Sequence, residues 1–344
     1  MATFNSTGTG GNWTDDSTWA EAGQPAADGT DHVIITAGDT VTLTANTGTG
    51  SIKISGTIEG GGYTLTLSSA YSNKPFDNDG TIDSGSDLNV TITNTGTQQD
   101  GLFCDFNQAS QGNINDLTIN LANGTTANKT VTCGGDTTID GDLIITSGTL
   151  DTSSSSNVAL TVTGDCDITG TLTANASVMD LFSMRINHGG TYNATSGTTT
   201  LSDSDTSAWG KVLYVNDNGT FNHNNGTMKF DGGSVPEITV INQSLTKNPY
   251  YNLWCSGDVC AVYNSTFVLN NATVRGIRFN GGVTDYFHVV GICENTADDF
   301  SEAGKESESA NNYFGTFHLS GGKLLLTQME ITVGSFRNTG GTVE

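Results

Sequence analysis

Residues Ile186 to Leu201 read INHGGTYNATSGTTTL, and twenty-nine positions further on, Val215 to Phe230 read VNDNGTFNHNNGTMKF. Ile186 falls on Val215, Gly190 on Gly219, Tyr192 on Phe221, Gly197 on Gly226 and Leu201 on Phe230. The polar positions change while the apolar and glycine positions hold. A chain that repeats in this way stacks copies of one small unit, with inward residues and turns fixed and outward residues free. The closing residues GSFRNTGGTVE repeat the pattern, with Phe336 on Phe221 and Gly341 on Gly226. By that alignment the chain stops one residue short of the position held by Phe230, which predicts that Glu344 is not a free edge. A longer match sets residues 116–148 against 252–282, each a Leu-led strand followed by a second strand and glycine-bounded apolar segments.

Short runs such as HVIIT, DTVTLT, LNVTIT, DLTINL, ALTVTG and TFVLN recur from end to end. Most alternate an apolar residue with Thr or Ser, the period-two pattern of a strand with one buried and one wet face. No amphipathic helix is legible, and AEAGKESESANN within residues 296–312 reads as a loop. Two architectures house so many short strands. Tandem β-sandwiches join their strands by hairpins and Greek keys and vary their inward residues, whereas solenoid coils repeat. The repeat predicts an all-β, right-handed parallel β-helix, with tandem sandwiches as the alternative. The boundaries read as an opening cap over 1–30, coils over 31–234, and further coils over 235–344 with a loop insertion near 294–312. Asn and Gly then fall at coil corners, where Asn tolerates left-handed backbone and can stack in side-chain ladders.

Composition excludes several classes. Gly stands at 44 and Pro at only 4, and charged residues make up 14%. Disordered chains are rich in charge and Pro, so these apolar-alternating runs argue for a folded core. The formal net charge of −24, from 36 acidic and 12 basic residues, leaves no phosphate-neutralising patch, which argues against nucleic acid and anionic membrane surfaces. No run of eighteen apolar residues exists to span a bilayer as a helix. The opening MATFNSTGTGGNW has neither the basic nor the apolar stretch of a secretory signal, as expected of a protein assembled in a cytoplasm. Cys104, Cys133, Cys166, Cys255, Cys260 and Cys293 form no CxxC pair. Cys255 and Cys260 can bridge a tight turn in an oxidising compartment; in a reducing one all six read as small buried residues.

The stretch GNWTDDSTWAEAGQPAADGTDHVIITAGDTVTLTANTGTGSIKISGTIE carries Trp13 and Trp19 six apart, a Gly/Pro turn at Gly23 to Pro25, Gly38-Asp39, and Gly56-Thr57-Ile58. This order is similar to the glycine-rich G8 module that opens many right-handed β-helix proteins. The resemblance covers about the first seventy residues and speaks for fold, not activity. Such a start directly after Met1 also resembles the Thr/Asn/Gly-rich fibres and spikes of tailed-bacteriophage particles. That resemblance implies a homotrimeric or otherwise repeated projection that contacts other virion proteins and a host surface glycan.

Candidate sites were weighed residue by residue. DNDGTIDSGSD places Asp77, Asp79 and Asp83 at spacings that can converge on Ca2+, although the full EF-hand order is missing; a polar turn is the simpler expectation. Asp203 and Asp205 in SDSDTSAW share one side of a strand, but no motif links them to Arg185, Lys211, Arg275 or Arg278, as carbohydrate cleavage would require. Asp298 and Asp299 lie in the acidic insertion, and the five His residues form no ligand set. Tyr250, Tyr251 and Trp254 in YYNLW are the aromatic residues expected to meet a partner. The sequence thus predicts a non-enzymatic structural virion protein with no bound cofactor. A bacterial surface adhesin or matrix protein at the cell surface is the first alternative and a polysaccharide depolymerase the second.

Overall fold

The computed structural model describes residues 2–229 with side chains, apart from residues 28, 69–72, 84, 86, 95–100, 107–111, 123–128, 154, 203–211 and 217; from residue 230 onward it describes strand backbone only. The chain forms two compact units, Met1–Asn175 and Ala176–Glu344. Each is a parallel β-solenoid. Among the described residues, every strand-to-strand ladder is parallel, and the one helical element is a 3-10 turn, Asp16–Thr18.

In the first unit the chain winds through three faces per coil. The first face stacks Thr3–Asn5, His32–Ile35, Ser51–Ile54 and Phe76–Asn78, and resumes with Leu102–Cys104, Thr130–Cys133, Thr149–Asp151 and Thr171–Thr173. The second begins with Gly11–Asn12, Thr40–Thr42, Thr57–Glu59 and Thr81–Ile82. The third runs from Thr47–Thr49 through Thr64–Leu67, Asn89–Thr93, Leu117–Asn120 and Leu143–Ser147 to the second half of Leu160–Ile168. Period-two alternation delivers an aliphatic residue to the same inward position on every coil. On the third face Leu65, Val90, Leu117 and Leu143 make one column and Leu67, Ile92, Ile119, Ile145 and Ile168 another, none more than 1% exposed. Burying each such side chain contributes about 1.5–3 kcal/mol, and parallel pairing holds the columns in register.

Coil length varies although the columns do not. On the first face Thr3 pairs with His32, His32 with Ser51 and Ile52 with Phe76, so the chain returns after 29, 19 and 24 residues. The slack is taken up at corners.

In the second unit, Met179–Ile186 turns a corner: its first half pairs with Thr198–Leu201 and its second with Leu213–Val215. The twenty-nine-residue repeat is realised as stacking, for Ile186 pairs with Val215, Tyr192 with Phe221 and Leu201 with Phe230. The rings of Tyr192 and Phe221 lie 5.8 Å apart inside the stack. Asn224 and Asn225 adopt φ of 46° and 60°, and Asn222 Nδ2 donates to Asn193 Oδ1 at 2.7 Å, so the asparagines do turn corners and stack between coils. Further along, Asn252–Cys255, Asn271–Val274, Ile292–Asn295, Lys323–Leu325 and Thr342–Val343 continue one sheet, while Thr266–Leu269, Tyr286–Val289, Thr316–Leu319 and Phe336–Asn338 form another.

The first coil is sealed by its own chain. Residues 18–21 run antiparallel along the outer edge of Thr3–Asn5: Thr7 N–H donates to Thr18 O and Ala20 N–H to Asn5 O, with a bridge between Ser6 and Trp19. Glu21 finishes the seal, its carboxylate accepting Asn5 N–H at 2.7 Å and Asn5 Nδ2–H at 2.9 Å. Beneath it Trp13 and Trp19 pack edge to face at 5.2 Å, with Phe4 against Trp19 at 6.3 Å, and these three stopper the core. Trp19 Nε1–H reaches Trp13 O at 2.9 Å. Unpaired edges invite other chains, so this strap is protective. Glu21→Ala is expected to cost about 1 kcal/mol through two lost hydrogen bonds and to promote concentration-dependent association. Thermal melting read alongside sedimentation velocity checks both effects.

A polar ladder climbs the corner before the third face. Asp116 N–H donates to Asn89 Oδ1 at 3.2 Å, Asp142 N–H to Asp116 Oδ1 at 2.9 Å, and Asp165 N–H to Asp142 Oδ1 at 2.8 Å. Burial, reinforced by the charges of Asp116, Asp165 and Asp167, pushes the Asp142 pKa up. An acid whose folded pKa lies above its unfolded value binds its proton more tightly when folded, so this group adds stability as pH falls through the folded pKa. Asp142→Asn keeps the acceptor oxygen, as Asn89 already does one step down the ladder, and is expected to flatten that gain. Melting temperatures at pH 7 and pH 5 for both proteins give the comparison.

Candidate functional site

The regular stack breaks once on the first face. Between Phe76–Asn78 and Leu102–Cys104 the ladder shrinks to a single bridge, Asp77 to Asp105. The outward positions change character here too. Elsewhere on this face they carry Thr, as in the in-register column Thr130, Thr149 and Thr171. At the break, Lys53 pairs in register with Asp77, and Asp77 with Asp105. Departure from an otherwise consistent pattern is where function or strain concentrates.

Three ion pairs gather at this point. Lys53 Nζ lies 2.9 Å from Asp79 Oδ2 and 3.5 Å from Asp77 Oδ2, and Lys74 Nζ bonds the other oxygen of Asp77. The hydrogen bond from Asp79 raises the Lys53 pKa, and the same bond lowers that of Asp79. Asp105 moves the opposite way. Burial raises its pKa, with Asp77 and Asp79 adding to the rise and Lys74 opposing it. One coil further down, His32 Nδ1 stands 2.7 Å from Ser51 Oγ, and burial depresses its pKa. Phe103 points outward beside these charges, 40% exposed, with the Lys74 ammonium 5.9 Å from its ring centroid.

The three aspartates expected from the sequence are only partly brought together. Asp77 and Asp79 converge on an ammonium, while Asp83 follows Thr81–Ile82 on the second face. Among the described residues no group of three His, Cys, Asp or Glu side chains forms a cage for a metal ion, so the Ca2+ expectation gives way to the Lys53 pairing. Tyr250 and Tyr251 lie outside the described residues, as do Asp203, Asp205, Lys211, Asp298 and Asp299. Trp254 sits on Asn252–Cys255, in register with Lys229 and Thr273. Cys104, Cys133 and Cys166 are free and buried, as small core residues should be, and burial raises their pKa values, that of Cys133 to about 12.

Lys53, Lys74, Phe103 and Asp105 were not found by sequence reasoning. A usable signal existed in the rarity of base, since 12 Lys and Arg residues in 344 make a strand lysine conspicuous. Assigning its partner needed the register, which unequal coils conceal.

Parallel stacking, inward aliphatic columns and corner ladders define a parallel β-solenoid protein. No known protein family, no curated protein and no solved structure matches the chain. Among the described residues no helix is long and apolar enough to cross a membrane.

Proposed function

We propose that this chain is a structural protein of a tailed-phage particle, a fibre, spike or capsid-surface projection that contacts a host surface and neighbouring subunits. The observation that carries the reading is the solenoid itself, with its strap along the first strand and its Thr- and Asn-rich outward columns. Stacked coils give a stiff body whose backbone is satisfied internally, and corner loops are free to make contacts. The resemblance of its opening and composition to phage fibres supports the same assignment. Its partners in this reading are further copies of itself, a homotrimer or other repeated assembly, and other virion proteins. It is located in the virion.

The test is mass spectrometry of purified phage particles together with cryo-electron microscopy of the same sample. The chain is expected in stoichiometric copies as a stacked-coil projection. Recovery from cell envelopes and not from particles would replace this reading with the surface adhesin. A depolymerase is the second reading, favoured by one observation: Asp105, with its raised pKa, stands in register with Asp77 beside Lys53 and Lys74 on adjacent coils. Carboxyl groups whose environments separate their protonation are the usual equipment of glycoside cleavage. Release of oligosaccharide from capsular or algal polysaccharide by the purified protein decides for it, and intact polysaccharide decides against it.

A further inference from the structure

We propose that the outward surface around Phe103 is a contact site for a neutral pyranose glycan; the inference rests on the host-contact reading above and names the ligand class. Three observations point to it. First, Phe103 occupies an outward strand position flanked by inward Leu102 and Cys104, so its ring is displayed and not packed in the core. Second, the ring has a built seat. It lies across Gly134 on the next coil, where an added Cβ would stand 2.7 Å from ring carbon Cε1. A side chain at that position would therefore push the ring off the sheet.

Third, the rim of the ring is a fixed array of donors and acceptors with almost balanced charge. Lys74 stands over the ring, Asp77 binds Lys74 and Lys53, and Asp79 binds Lys53. These residues occupy three successive coils, a row of ~10 Å at ordinary strand spacing. An exposed aromatic face offers stacking to the C–H face of a sugar ring, while ammonium and carboxylate groups held in place by each other pair with its hydroxyls. A polyanionic glycan would meet the repulsion of a chain with net charge −24, so the ligand is neutral. The size of the row is comparable with a disaccharide.

The test is saturation-transfer NMR on the full chain with maltopentaose, cellopentaose, laminaripentaose and a mannose pentasaccharide, and with a hyaluronan oligosaccharide as anionic control. Ring protons of at least one neutral probe are expected to saturate. Phe103→Ala should weaken binding by about tenfold, the scale of a single aromatic anchor, with the melting temperature unchanged. Phe103→Trp should retain binding, and Gly134→Ala should weaken it by tilting the ring. Saturation of none of the neutral probes, preference for the anionic one, or wild-type binding by Phe103→Ala would overturn the proposal. A Phe103→Ala change that alters only sedimentation, with no sugar bound, would overturn it in favour of a protein contact. Failure of sugar binding with the chain present in particles removes this inference alone; sugar binding with the chain absent from particles removes the virion reading alone.

Discussion

Gly226→Ala is expected to destabilise the second unit by about 3 kcal/mol, the upper end of what forced overpacking costs. The added Cβ would fall 1.9 Å from Thr195 O and 2.8 Å from Gly197 O, both carbonyls of the preceding coil. Neither is a flexible side-chain end. Thr227 N–H donates to Gly197 O at 2.8 Å, so moving that carbonyl also strains the ladder into Thr227–Phe230. Chemical denaturation followed by hydrogen exchange on the strands Thr198–Leu201 and Thr227–Phe230 checks the effect. Native-like protection there in Gly226→Ala would show that the corner has room to relax. Gly197→Ala is the control. Its Cβ would meet nothing nearer than Thr195 Oγ1 at 3.4 Å, and its cost should be smaller.

Ile119→Ala is expected to cost about 2–5 kcal/mol in the first unit. Ile119 is fully buried and pairs in register with Ile92 below and Ile145 above. Removing its outer carbons leaves a cavity in the middle of a column, and the flanking coils can close on it only by breaking their own hydrogen bonds. Ile144→Ala, one residue along the next strand but outward and 36% exposed, should change stability little. Urea melts of the two variants give the contrast directly. Equal losses would mean that the column is not what holds these coils.

Some of this was legible from residues alone. Ile186, Tyr192 and Leu201 announced their partners because both coils that carry them have the same length, so a simple offset of the sequence reproduces the register. The corner role of Asn224 and Asn225 followed from residue type, since few other side chains accept left-handed backbone. The pairing of Lys53 with Asp77 was not legible. The offset on the first face changes from 29 to 19 to 24 residues, so no single shift brings Lys53 onto Asp77. Spacing in DNDGTID suggested a cation site because carboxylates two apart along a strand share a face. What spacing omits is the occupant of the neighbouring strand, and here that is an ammonium. The strap of residues 18–21 escaped for a related reason. Only its antiparallel bonds to Thr3–Asn5 distinguish it from an ordinary polar turn.

The unequal coils separate two kinds of heritable change. Residues that face inward answer only to the coil immediately above and the coil immediately below, as Ile119 answers to Ile92 and Ile145. Corner segments answer to no column, and a coil of 19 residues stacks beside one of 29 on the same face. Lengthening a corner costs only loop-closure entropy, which grows slowly with length. A lineage carrying this fold can therefore rewrite what it shows to its surroundings, one corner at a time, while inheriting its framework untouched.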